Sequence, residues 1–260
     1  MEMITFAEGD YRRYEELLLQ RDRLQKAALE YERAYLREFG EALTENLEAK
    51  LECIALKKSI AYCLERRNRG ETPDRAAMES YVKARMAPYQ EELIALQMAR
   101  SMAKGGHALS PGDVEKIKKI YRRLAKQLHP DLSPLTGQYP ELWDLFNDII
   151  DAYRRNDLPR LQELEVLVEG QLRALGLEGV AVAIDDLPGK TAALEEEIDK
   201  IVSTDPYRYG LLLADAAAVL EKKAALKAEL EESLRYRDSL KATLERFLAE
   251  GPGKEGNGNG

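Results

Sequence analysis

The feature that most constrains this chain is a helical pattern that runs without interruption from residue 8 to residue 67. Apolar side chains recur three or four positions apart among dense charges, and no proline breaks the run. This pattern predicts one long helix, with Gly40 as a point where it could bend. At 1.5 Å per residue such a helix runs roughly 90 Å. It is too long for a compact domain to enclose, so it should pair with another helix or with a second subunit.

The remainder of the chain also has the pattern of helices. Thr72, Pro73 and Asp74 provide start signals for a second helix over 73–104. Further helices are predicted over 191–202 and 206–249. Sustained two-residue alternation is absent, and residues 180–184 are the one short strand candidate. We therefore predict an all-α fold in which long antiparallel or coiled-coil-like helices flank a shorter helical hairpin.

Two glycine-containing segments predict the domain boundaries. The first is the joint at 105–107, and the second is the aperiodic stretch 176–189. The predicted order is an N-terminal helical hairpin or coiled coil over 1–107, a helical module over 108–170, a linker over 171–190, a helical arm over 191–250 and a disordered tail over 251–260.

Charge and composition exclude several classes of function. The 39 Lys and Arg against 47 Asp and Glu leave a net charge of −8, which repels nucleic acid and anionic lipid. No apolar stretch reaches the roughly 18 residues of a membrane span, and no secretory signal is visible, so we expect a cytoplasmic protein. Cys53 and Cys63 lie ten apart on one helix and should be buried thiols. We expect no metal site and no cofactor.

The segment 113–128 is the local exception to the acidic balance. It carries six basic residues and two acidic ones, a net charge of +4, and its apolar residues follow a separate face. The next predicted helix, 141–153, carries four acidic residues and no basic one. Opposite charge and two apolar faces predict an antiparallel hairpin of the two helices, with His129, Pro130 and Asp131 at its tip because Pro130 stops the first helix.

These residues resemble the J domain of the DnaJ family of co-chaperones. The matching stretches are IKKIYRRLAKQLHPD at 117–131 and LWDLFNDIIDAYRR at 142–155, so that the resemblance covers residues 110–155. It implies binding to a DnaK-type, seventy-kilodalton heat-shock ATPase and stimulation of its ATP hydrolysis, with no catalytic residue in this chain, which would then not be an enzyme. The implied partner-binding residues are Lys119, Tyr121, Arg122, Arg123, Lys126, His129, Pro130 and Asp131.

The chain also departs from the family's pattern. The family's first helix has no equivalent before Ser110, and residues 88–104 would have to take its packing role. The zinc-binding cysteine repeats and the Gly/Phe-rich linker are absent from the sequence. We expect His129 and Asp131 to lie at the surface, so that His129→Gln and Asp131→Asn would abolish stimulation and leave stability nearly unchanged.

Two alternatives remain open at this point. The chain could be a structural coiled-coil or scaffold protein in which the hairpin is only a packing element. It could also bind nucleic acid through its basic helix, although the adjacent acidic helix argues against this function. In the co-chaperone interpretation the helical arms bind a client, a scaffold or another copy of the chain.

Overall fold

The computed structural model describes residues 8–104, 109–177, 184 and 186–249. Over these ranges the chain forms eight α-helices and one short 3-10 helix, with no strand, which confirms the all-α prediction. The strand candidate at 180–184 falls mostly outside the described residues, and the tail at 251–260 falls wholly outside them. The helices are α1 (Glu8–Asn68), α2 (Arg75–Lys104), α3 (Pro111–Leu128), α4 (Pro140–Arg155), α5 (Leu158–Ala174), α6 (Leu187–Ser203), α7 (Tyr209–Ala214) and α8 (Ala216–Ala249), with the 3-10 helix at Pro134–Gly137.

The bounds of α1 agree with the single long helix predicted from periodicity. The predicted helix over 206–249 is instead two helices, because Asp215 interrupts it. The carboxylate of Asp215 accepts hydrogen bonds from the backbone N–H groups of Ala217 and Ala218, at 2.9 and 3.2 Å. Asp215 therefore caps the start of α8 and separates it from α7.

The chain divides into two compact units that interleave along the sequence. The first unit contains residues 1–32 and 107–211, and the second contains 33–106 and 212–260. This division differs from the sequential boundaries expected from the glycine-containing segments. The reason is that the long helix α1 contributes residues to both units. The predicted joint at 105–107 lies outside the described residues.

In the second unit, α2 and α8 both pack along α1. Tyr62 of α1 contacts Tyr81 of α2, and the earlier residue Glu41 contacts the later residue Arg100. The order of contacts is reversed along the two helices, so α2 is antiparallel to α1. In the contacts between α1 and α8 the residue numbers of both helices increase in the same direction, so α8 is parallel to α1. These contacts are Glu38 with Lys223, Asn46 with Leu226, Lys50 with Glu229 and Glu52 with Arg237. The long helices therefore pair with each other and with α2, whereas the sequence had also left pairing with a second subunit open.

The two cysteines also lie in the second unit, where both are buried free thiols, as the sequence predicted. Burial raises the pKa of each thiol above its usual value. Cys63 contacts the sulfur of Met78 at 3.7 Å, between α1 and α2.

In the first unit, α3, α4 and α5 enclose an apolar core. Its fully buried side chains include Ile117, Leu124, Leu128, Ile149 and Leu164. Leu19 of α1 joins this core, whereas the sequence assigned that packing role to residues 88–104. That expectation is wrong because 88–104 lies in α2, which belongs to the second unit. Trp143 of α4, the single tryptophan of the chain, is 45% exposed.

Candidate partner-binding site

The basic helix α3 has clear local reasons to begin and end where it does. Ser110 accepts a hydrogen bond from the Asp113 N–H at 3.1 Å, and Pro111 occupies the first helical position. At the other end His129 takes an extended backbone conformation, because Pro130 disfavours a helical residue before it. The His129 N–H still donates to the carbonyl oxygen of Ala125 at 2.8 Å, which completes the last turn.

The His-Pro-Asp sequence forms a hydrogen-bonded turn closed on His129. The carbonyl oxygen of His129 accepts from the N–H groups of Leu132 and Ser133, at 2.8 and 2.7 Å. The Asp131 N–H donates to Nδ1 of the His129 ring at 3.1 Å. The imidazole thus supports the backbone of its own loop, while the Asp131 side chain is 44% exposed.

The opposite nitrogen of the His129 ring faces α1. Nε2 lies 2.9 Å from Nη2 of Arg21 and 4.0 Å from Oδ2 of Asp22, and His129 is only 3% exposed. Burial lowers the pKa of His129 below its usual value, and the Arg21 charge adds to this effect, while Asp22 and Asp131 oppose it. A neutral imidazole accepts at one nitrogen only, so Arg21 and the Asp131 amide compete for that lone pair.

Tyr121 of α3 is also held by a residue of α1. Its hydroxyl donates to Oδ2 of Asp22 at 2.5 Å, and its ring stacks on Tyr153 of α4 with centroids 3.8 Å apart. Burial, with the Asp22 charge second, raises the pKa of the Tyr121 hydroxyl far above its usual range. Asp22 itself is buried and pairs with Arg21 at 2.9 Å. The Asp22 carboxylate therefore lies close to both Tyr121 and His129 and connects them to α1.

The four predicted basic residues of α3 differ in what they contact. Lys126 pairs with Glu15 of α1 at 2.5 Å, and Arg123 pairs with Glu165 of α5. Lys119 and Arg122 are exposed and form no ion pair with any residue that the structure describes. Both line a groove of about 780 Å³ between α1 and α3. All four side chains are exposed, and the two that form ion pairs, Arg123 and Lys126, are the nearer ones to the loop.

The eight predicted residues lie on α3 and the loop that follows it, with unequal access. Lys119 and Arg122 are exposed without an ion pair to a described residue, and Arg123 and Lys126 are exposed but face ion-pair partners, as does the partly exposed Asp131. Tyr121 and His129 are buried. The expectation that His129 lies at the surface is wrong, because α1 covers it. Across the described part of the chain, no group of His, Cys, Asp and Glu could hold a metal ion. The arrangement can bind an acidic surface, and a buried neutral imidazole is poorly placed for proton transfer.

Sequence reasoning missed the α1 residues that complete this site: Glu15, Arg21 and Asp22. They lie about a hundred positions before α3, on a helix where charges are frequent at every turn. One available signal was that Asp22 falls among the apolar positions of α1, since Leu18 and Leu19 precede it by one turn.

Comparison with known proteins identified no relative: no family model, no curated protein and no solved structure matches this chain. None of the described helices is long and apolar enough to cross a membrane.

Proposed function

We propose that the first unit contains a J-domain-like module that binds a DnaK-type chaperone and stimulates its ATP hydrolysis. The observation that carries this proposal is the His129-Pro130-Asp131 turn at the end of a basic helix, in a hairpin whose helices are antiparallel. The contacts of Tyr121 with Tyr153 and of His129 with Phe146 support the antiparallel arrangement.

The open residues of the site account for how a partner would be attracted. The carboxylate of Asp131 is 44% exposed and lies 3.8 Å from Arg21 of α1. Lys119 and Arg122 are exposed positive charges without an ion pair to a described residue. Such charges favour an acidic partner surface and speed its association in a salt-dependent way. Stimulation requires that the module bind the hydrolysis-competent conformation of the ATPase more tightly than its resting one, because only differential affinity shifts a population.

The test is steady-state ATP hydrolysis by a DnaK-type chaperone with and without the full chain. We expect stimulation by the unaltered protein, and loss of most of it in Arg122→Glu and in Asp131→Asn. Arg154→Glu is the matched control for the first variant, since Arg154 is an exposed arginine of the same hairpin without an ion pair to a described residue. Absence of stimulation at every protein concentration, or equal stimulation by Arg122→Glu and Arg154→Glu, would contradict the proposal.

A second candidate function is that of a structural protein in which the hairpin is a packing element. The burial of Tyr121 and His129 against α1 favours it, because side chains used for packing are normally enclosed. If this is the function, the unaltered chain does not stimulate the chaperone ATPase, and Asp131→Asn and Arg122→Glu do not change the rate of ATP hydrolysis.

A further inference from the structure

We propose that residues 8–32 of α1 act as a built-in competitor, which covers the partner-facing side of α3 until a chaperone displaces them. This inference rests on the proposed function, since it concerns regulation of the same site. Three side chains that the resemblance places at the partner surface, Tyr121, Lys126 and His129, are each held by an α1 residue. Tyr121 and His129 are buried, whereas Lys126 is ion-paired but still 45% exposed.

The chemistry of the cover matches that of an acidic partner. Glu15 neutralises Lys126, and Asp22 accepts the hydrogen bond of the Tyr121 hydroxyl. An acidic surface binding the same face of α3 would have to offer carboxylates at these two places. The α1 segment and such a partner therefore cannot occupy that face at the same time.

Apolar contacts hold the segment on both α3 and the loop. Leu19 is buried in the core formed by α3, α4 and α5. Tyr14 and Leu18 are buried with Leu132, which directly follows Asp131. The cover is consequently the resting arrangement of the first unit, and opening it exposes apolar surface at a cost in free energy.

The groove that remains open explains where displacement would begin. Lys119 and Arg122 are accessible while the cover is in place, and they lie next to the covered residues along α3. A partner can therefore make its first contacts there and then replace α1. Because only the open fraction of molecules binds fully, the cover weakens the apparent affinity by that fraction.

The decisive experiment reverses one charge of the cover and leaves α3 unaltered. Glu15 is 13% exposed and faces Lys126, so Glu15→Lys sets two positive charges against each other. We expect this full-length variant to reach half-maximal stimulation of a DnaK-type ATPase at a concentration lower by about fivefold. Asp10→Lys is the control, because it makes the same charge change on α1 at an exposed residue without an ion pair to a described residue.

A second variant and a second measurement test the proposal even if Glu15→Lys fails to fold. Glu15→Gln removes the ion pair without adding repulsion and should shift the half-maximal concentration in the same direction, by a smaller factor. Amide hydrogen exchange of the unaltered chain should show residues 8–32 losing protection when the chaperone is added, while α4 keeps its own.

The outcomes separate this inference from the proposed function. If the chain stimulates the ATPase but both Glu15 variants behave like Asp10→Lys, the cover is not a competitor and the co-chaperone function stands. Unchanged exchange of residues 8–32 on chaperone binding would lead to the same conclusion. If neither the unaltered chain nor any variant stimulates the ATPase, the proposed function fails, and the inference fails with it.

Discussion

Two of the polar side chains that the long helix α1 buries, Asp22 and Asn46, are held in different ways. In the first unit Asp22 is a carboxylate with the Tyr121 hydroxyl and Arg21 as partners. In the second unit Asn46 is a neutral amide whose Nδ2 donates to the carbonyl oxygens of Ala42 and Leu226, at 2.8 and 2.9 Å. Its Oδ1 has no hydrogen-bond partner in the described part of the protein.

The difference shows what a buried polar group can do for a helix contact. A buried charge is tolerated only with its partners in place, so Asp22 makes the contact of α1 with α3 dependent on several residues at once. A buried amide at a helix seam fixes register at a modest cost in stability. Asn46 selects one alignment of α1 with α8, because Nδ2 reaches a single carbonyl oxygen of α8.

The largest effect is expected for Asp22→Ala. It leaves the Tyr121 hydroxyl without its acceptor and the largely buried Arg21 without its nearest carboxylate, so we expect a loss of about 3 to 5 kcal/mol in the free energy of unfolding. Urea unfolding followed by circular dichroism measures this loss. Asp10→Ala, at an exposed position of the same helix, should change stability by less than about 0.5 kcal/mol. Equal losses in the two variants would show that Asp22 is not a special position.

Tyr121→Phe should have the next largest effect. It keeps the stacked ring and removes one hydrogen bond to a charged acceptor, for an expected loss of about 2 kcal/mol in unfolding free energy. Tyr153→Phe is the matched control, since its ring is the other half of the stack and its hydroxyl has no hydrogen bond to a described residue. A smaller loss in Tyr121→Phe than in Tyr153→Phe would count against the role of Asp22.

A pH-dependent effect is expected from His129 in the same contact. The folded state holds the pKa of His129 below its usual 6.5, so the unfolded state binds the proton more readily. The contribution of His129 to the free energy of unfolding should therefore be fully present above about pH 6.5. It should decrease as the pH falls below this value, until the imidazole of the folded state is itself protonated. Urea unfolding between about pH 8 and about pH 5 should give a steeper dependence for the unaltered chain than for His129→Gln. Identical slopes would contradict the assigned environment.

The smallest effect is expected at the neutral contact in the second unit. Asn46→Leu removes an unpaired buried oxygen, while the carbonyl of Leu226 keeps its place in α8, so we expect unchanged or slightly higher stability, by up to about 1 kcal/mol. Thermal unfolding of the variant measures it, with Asn68→Leu, at the exposed end of α1, as a surface control. A loss above about 2 kcal/mol would place Asn46 in the same class as Asp22.

The helices could be predicted because their causes are local. The spacing of apolar residues determines α1, and Ser110, Pro111 and Pro130 set the ends of α3. The break at Asp215 was missed, since an aspartate caps a new helix only where the backbone has already turned. Periodicity indicates that a face needs a partner without specifying which helix supplies it.

The covered state of the site was beyond the reach of sequence reasoning for the same reason. The contacts of Glu15 with Lys126 and of Asp22 with Tyr121 join residues about a hundred positions apart. The residues of the basic helix could be named from their pattern, but the accessibility of Tyr121 and His129 depends on α1. The resemblance to a J domain matches the hairpin alone, and the packing role of a first helix was assigned to residues 88–104, whereas Leu19 of α1 joins that core.

The placement of the cysteines has a consequence for following the motions of the unaltered chain. Cys53 and Cys63 are the only two cysteines in the sequence, both are buried in the second unit, and the raised pKa of each thiol leaves little reactive thiolate at neutral pH. A thiol reagent should therefore modify them at a rate set by transient opening of that unit. Trp143, in the first unit, offers a separate fluorescence signal. Labelling kinetics and tryptophan emission can thus time the opening of the two units independently, without any engineered probe.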